Sequence, residues 1–214
     1  MSTRTDGRYH HGDLRNALVD ASIALAAVGG PDAVVLREAA RRSGVSPTAA
    51  YRHFADRSEL LGAVAHRALG TLTTSMQREL DTLSPDDDPH RVALARLVAV
   101  GRGYVRFALA EPGLFRTAFS VLGVPRPDPD GGRWPTAYGM LAECIDGLVA
   151  AGLLSADRRA GAEYPAWSAV HGLATLLLGP LSSLPAVEQD RAIERTLQAV
   201  VSGLTGVAER LSTR

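Results

Sequence analysis

The sequence predicts an all-α fold: a small N-terminal three-helix helix-turn-helix domain joined to a larger C-terminal helical bundle. Three observations predict it. Apolar residues recur at three- and four-residue spacing along most of the 214 residues, with no strand-like alternation. Alanine and leucine are abundant while aromatics make up only 5% of the chain, a composition that favours helix. The stretch from Val35 to Leu61 reads as two short helices around a tight turn, followed at once by the start of a longer one.

Residues 1–11, MSTRTDGRYHH, are polar and aperiodic and concentrate Arg4, Arg8, Tyr9, His10 and His11. They read either as a disordered tail or as an arm lying on phosphates or in a minor groove. Adjacent imidazoles without partner ligands chelate poorly, so no metal site is expected there. A helix is predicted from Asp13 to about Val28, with Leu14, Leu18, Ala21 and Leu25 on its buried face and Gly29–Gly30–Pro31 as its stop. In residues 35–43, Leu36, Ala39 and Ala40 share one face, and the small alanine pair admits a close helix crossing. Gly44 ends that helix where a left-handed residue is needed. Ser46 then caps a second helix, Pro47–Phe54, with proline at the first position, where a missing N–H costs nothing. Asp56 and Glu59 form an aspartate version of the capping box for a long helix. Its buried stripe runs through Leu60, Leu61, Val64, Ala65, Ala68, Leu69, Leu72 and Met76.

The proline- and aspartate-rich segment 83–90 ends that connecting helix. Asp86–Asp88 lacks the alternating ligands and glycine of a calcium loop and reads as a solvated turn. Helices are predicted over about Arg91–Leu109, from Pro112 to about Leu122, and over Pro135–Ala151, Arg159–Leu178 and Pro185–Leu211, with a loop at 123–135. The first is apolar around much of its circumference, which suits the inside of a bundle. The last carries a sustained stripe, Ile193, Leu197, Val200, Val201, Leu204, Val207 and Leu211. Together with Leu173, Leu176 and Leu177 before it, this stripe either closes the core or forms a two-fold interface as a four-helix bundle. The domain boundaries expected are 1–57 for the DNA-binding unit, 58–82 for the connecting helix and 83–214 for the C-terminal ligand-binding and dimerisation domain.

Hydrophobic residues make up 46% of the chain, enough for a sizeable core. The 23 basic and 23 acidic residues cancel, so affinity for nucleic acid has to come from placed contacts and not from overall charge. Every basic residue is arginine, a bias that a G+C-rich genome explains without a functional reading. One cysteine, Cys144, excludes an internal disulfide framework and fits a reducing cytosol. No apolar run approaches the roughly 18 residues of a membrane span, and a cytoplasmic protein without membrane association is expected. There is no G-x-S-x-G elbow, no phosphate-cradling glycine loop followed by lysine and no paired-histidine helix motif. No enzymatic activity and no cofactor are therefore expected.

Residues 9–69 resemble the DNA-binding domain of the TetR family of bacterial transcriptional regulators. The resemblance rests on YHHGDLRNALVDASIALAAVGG, on REAARRSGVSPTAAYRHFADRSELLGAV, and above all on Gly44–Val45–Ser46 followed by Tyr51, His53, Phe54 and Arg57. The opening YHHGDLR and the segment from Trp167 to Gly172, WSAVHG, resemble the subgroup with a WHG-type C-terminal domain. The resemblance implies a homodimer whose N-terminal domains read a palindromic operator in double-stranded DNA. Its C-terminal domain would bind a small-molecule effector that releases the DNA. The alternatives are a TetR-like activator, a partner-regulated factor, or, more remotely, a helical small-molecule binder without DNA binding. The chain departs from the family at Val35, where threonine is common, at Ala39, where a larger aliphatic residue is usual, and at Arg57, where lysine is common. Val35 removes an N-cap hydroxyl that typically contributes roughly 1 kcal/mol.

The resemblance implies phosphate contacts for Tyr51 and His53, and the position of Arg57 near the next helix start suits a further phosphate clamp. Exposed early positions of the second motif helix, Pro47 and Thr48 beside the cap Ser46, fall to base reading. Arg52, one turn on, pairs with guanine or binds phosphate. Arg8 in the arm and Arg41 flank the backbone. For the effector, Tyr104, Phe107, Phe115, Met140, Cys144, Trp167 and His171 are candidates because they fall on helices expected to surround a pocket. Ordinary core packing is the alternative for each aromatic, and His171 is the best polar anchor. This set suggests an apolar or amphipathic effector.

Overall fold

The computed structural model describes residues 11–120 and 137–206. All regular structure among them is helical: α1 (His11–Gly29), α2 (Leu36–Arg42), α3 (Pro47–Tyr51), α4 (Arg57–Asp81), α5 (Pro89–Ala110), α6 (Pro112–Ala118), α7 (Ala137–Ala150), α8 (Glu163–Leu178) and α9 (Ala186–Leu204). Short 3-10 turns occur at Pro31–Ala33 and Ala156–Arg158. No helix among the described residues is long and apolar enough to cross a membrane.

The local signals act at the expected points. Gly44 takes φ +70°. Its amide donates to Arg41 O (3.2 Å) while the Val45 amide donates to Ala40 O (3.0 Å), which closes α2 in a Schellman motif. Ser46 Oγ accepts from the Ala49 amide at 3.2 Å and caps α3. At the start of α4, Asp56 accepts from the Glu59 amide (2.9 Å), and the Glu59 carboxylate reaches back to the Ala55 amide (2.8 Å). The return arm of this capping box thus lands one residue earlier than the usual pattern.

Several boundaries differ from the expected ones for identifiable reasons. Regular α-helix in α3 stops at Tyr51, because the His53 and Phe54 amides both turn onto Ala50 O. α5 starts at Pro89, two residues early, since Asp88 caps it by accepting from the His90 amide at 2.9 Å. α8 starts only at Glu163, because Gly161 at φ +75° separates it from the 3-10 turn. α6 ends at Ala118, and the rest of its expected span, from 121 on, lies outside the described residues, as do Val207 and Leu211. The Asp86 carboxylate accepts from the Asp88 amide and pairs with Arg91 at 2.9 Å, which accounts for that acidic cluster as a stabilised turn.

The chain divides into two compact units, Met1–Ala68 with Gly113–Gly123, and Leu69–Pro112 with Val124–Arg214. This division differs from the expected boundaries: the first break falls inside α4, and α6 joins the first unit. Close approach explains the second point. A Cβ on Gly113 would run into the carbonyl oxygens of Ala26 and Ala27, so only glycine lets α6 lie against the end of α1. The first unit packs α1 on α2 and α2 on α3 around buried Leu18, Leu36, Ala39, Ala40, Ala50, Phe54 and Leu60. In the second, α5 is central and packs against α7, α8 and α9. Its Gly103 faces the α4 backbone at Met76, and Ser75 Oγ donates to Gly103 O at 3.0 Å.

Candidate DNA-reading face and effector cluster

Helix α3 is short enough for its two faces to be told apart by spacing. Ala50 and Phe54, four apart, are fully buried. Thr48, Tyr51 and Arg52, at the three- and four-residue spacing of the opposite face, are exposed, as are Ser46 and Pro47. Tyr51 keeps 48% of its surface open although it is a large aromatic. Burying one face of α3 in the unit's core therefore presents the other, with a methyl, hydroxyls and a guanidinium, to solvent. His53 is half-buried beside it.

The surrounding arginines are more committed. Arg41 donates to both carboxylate oxygens of Glu38 (Nε 2.8 Å, Nη2 2.7 Å), and Arg42 Nε donates to the same carboxylate at 3.1 Å. Hydrogen bonds from Arg41 and then Arg42 hold the half-buried Glu38 carboxyl down to about 2, and the pair with Glu38 raises Arg41 above its ordinary value. Arg57 is tied back to the segment before α2. Its Nε donates to Val34 O at 2.8 Å and its Nη2 to Pro31 O at 2.6 Å, so two of its donors are taken up within the protein. Arg8 lies outside the described residues. Arg15, which sequence reasoning missed, stacks 4.2 Å over the Phe54 ring and pairs with Glu59 at 3.3 Å. It fastens α1 to the α3–α4 corner.

In the second unit, three candidate residues meet. The Tyr104 hydroxyl lies 2.7 Å from His171 Nδ1 and accepts from Trp167 Nε1 at 3.2 Å. The rings of Trp167 and His171 sit edge-on, 6.2 Å between centroids, and Tyr138 meets Trp167 in the same way at 6.2 Å. Tyr138 was also missed, because an aromatic one turn into a helix after a loop carries no pattern of its own. Burial pushes the Tyr104 phenol well above its ordinary range and lowers His171, so both are neutral near pH 7. Phe107 and Cys144 are buried and Met140 half-buried. Burial raises the Cys144 thiol to about 11, which leaves it an inert apolar side chain. Phe115 belongs to the first unit, where its ring lies 5.1 Å from that of Phe119. Among the described residues no group of three or more His, Cys, Asp or Glu is arranged to hold a metal ion.

Between α8 and α9 runs an open groove of about 650 Å³. Its lining includes small residues, Ala162, Ala166 and Ala169 from one side and Ala199 and Gly203 from the other, as well as Leu154, Arg158, Arg195 and Leu204.

Residues 18–64 match the family described as "Bacterial regulatory proteins, tetR family", and residues 97–200 match "Tetracyclin repressor-like, C-terminal domain". The chain matches none of the curated proteins. Among solved structures it is similar to a protein of unknown function from Rhodococcus sp. RHA1, at 27% identity over 94% of this chain and 100% of that one, with a TM-score of 0.71. It shares the fold of TetR from Acinetobacter baumannii AYE (21% identity, 95% and 98% covered, TM-score 0.62). A variant of that TetR solved in complex with minocycline is similar at 18% identity, 97% and 100% covered, TM-score 0.59. With a helix-turn-helix that exposes one face of α3 and a helical second unit, the chain belongs to the TetR family and is a ligand-responsive, DNA-binding transcriptional regulator.

Proposed function

We propose that the protein is a homodimeric, non-enzymatic repressor that holds a palindromic operator through two copies of α3 and leaves it when a small apolar or amphipathic molecule enters the second unit. The observation that carries this reading is the exposed Thr48, Tyr51 and Arg52 face of a helix anchored from behind by Ala50 and Phe54. Pro47 and Thr48 meet base edges. Arg52 pairs with guanine or the backbone, Tyr51 and His53 hold phosphates, and the arm bearing Arg8 and the α2 end bearing Arg41 flank the duplex. The α8–α9 groove supports the dimer, since its small residues admit close approach by a second copy. Trp167 and His171 on α8 and Tyr104 on α5, with Phe107 on α5 and Met140 and Cys144 on α7, supply an apolar pocket with polar anchors; Phe115, on α6, is the outlying member of that set.

The test is a mobility shift on the DNA upstream of the protein's own gene, followed by a screen of small molecules for release. Retardation of that fragment but not of unrelated duplex, reversed by one compound, supports the reading. Equal binding to both, or none, contradicts it.

A further inference from the structure

The entrance of α2 has no side-chain cap. Val35 occupies the N-cap position in extended backbone and has no hydroxyl to offer, and Glu38, three residues on, is turned towards Arg41 and Arg42. A capping box would have used both residues. Something else must fix the angle at which the chain enters α2, and through the α2–α3 packing the angle at which α3 is carried.

Arg57 is placed to do this. From the first turn of α4 it reaches back 26 and 23 positions to the carbonyls of Pro31, which opens the 3-10 turn that leads into α2, and Val34, which follows it. The Asp32 carboxylate, on the same turn, lies 3.8 Å from Nη2. Val34 is fully buried, so withdrawing the guanidinium to bind a phosphate would strip its carbonyl of that donor. A planar guanidinium can serve two carbonyls with separate, fixed donors, whereas a lysine ammonium is a point charge on a flexible stem.

We propose that Arg57 is a positioning residue for the DNA-reading helix: its guanidinium fixes the α2 entrance that Val35 leaves uncapped, in place of neutralising a phosphate. This rests on the DNA-binding reading above. It also accounts for two departures from the family pattern together, since the missing threonine hydroxyl and the arginine in place of lysine act on the same corner.

The test uses the full-length chain and its upstream duplex, with affinity measured by fluorescence anisotropy over a range of salt and thermal midpoints measured without DNA. The variants are Arg57→Lys, Arg57→Gln, and Arg57→Lys combined with Val35→Thr. The expected result is that Arg57→Lys, despite keeping its charge, loses about ten-fold in affinity with the wild-type salt slope. The double variant should recover about three-fold or more of that loss together with part of any lost thermal midpoint. A lysine variant with wild-type affinity, or a glutamine variant whose salt slope falls by about 0.9 for each side chain replaced, would show a phosphate clamp and overturn the proposal. If the lysine variant is unfolded at the assay temperature, a double variant that restores neither folding nor binding overturns it as well. A wild-type chain that binds no duplex instead overturns the DNA-binding reading, and this proposal with it.

Discussion

Tyr104 and His171, 67 positions apart, share a 2.7 Å hydrogen bond inside the second unit. The phenolic oxygen already accepts from Trp167 Nε1, and its own proton needs an acceptor in a buried place. With Nδ1 of a neutral His171 assigned as that acceptor, the imidazole proton falls to Nε2. Tyr104→Phe removes the acceptor of Trp167 and the donor to His171 at once. It should cost about 1–3 kcal/mol in urea unfolding and raise the His171 pKa towards its ordinary value, read by NMR titration. An unchanged titration would contradict this assignment of the proton. Because His171 is depressed in the folded protein, its contribution to stability is complete above pH 6.5 and is lost as pH falls below that value towards the folded pKa.

Glu38 restrains two arginines next to the reading helix. Its depressed carboxyl pKa means that the pairing is intact above about pH 4.5 and is lost only as pH falls towards 2. Glu38→Gln should free Arg41 and Arg42 for phosphate at neutral pH. Binding to non-operator duplex should then strengthen, with a salt slope steeper by up to about 0.9 per freed arginine. A slope equal to wild type would mean that neither side chain reaches the backbone.

Gly113 is a steric requirement of the first unit. Gly113→Ala places a methyl group against two carbonyl oxygens of α1 and should cost about 1–3 kcal/mol in chemical denaturation. Gly147→Ala, on a helix where a Cβ meets nothing within 4 Å, is the control and should be neutral or slightly stabilising. Equal effects at the two positions would rule out close packing as the reason for Gly113.

If a second copy packs on the α8–α9 groove, as proposed, bulk and charge placed there should separate the pair. Ala199 is exposed in the single chain, so Ala199→Arg should leave the fold intact. Sedimentation should then show monomers, and operator affinity should fall steeply, because a single α3 lacks the second half-site. A variant that stays dimeric would place the interface elsewhere.

What could be read from the sequence was whatever depends on near neighbours. Gly44, Ser46, Pro47 and the Asp56–Glu59 pair act within four residues, and their spacing alone announced the turn, the caps and the exposed face of α3. The Glu38–Arg41–Arg42 cluster is equally local, but spacing alone does not say which of several neighbouring charges pair. Other contacts depend on the folded path. Arg57 meets Pro31 and Val34, and Arg15 meets Phe54 and Glu59, only once α1, α2 and α4 are packed. For the same reason Trp167, His171 and Tyr104 could be named as candidates while their hydrogen-bonded chain could not. The membership of α6, and with it Phe115, in the first unit goes with a close approach at Gly113 that periodicity does not encode.

Whether α3 reads sequence can be measured by footprinting the protein on its upstream DNA and determining relative affinity for every single-base change, with wild type, Arg52→Ala and Tyr51→Phe in parallel. The account predicts two protected half-sites one helical turn, or a multiple of it, apart. It further predicts an altered base preference for Arg52→Ala, and for Tyr51→Phe a uniform loss on specific and non-specific duplex alike. Unbroken protection without half-sites, or the same base preference in all three proteins, would contradict it.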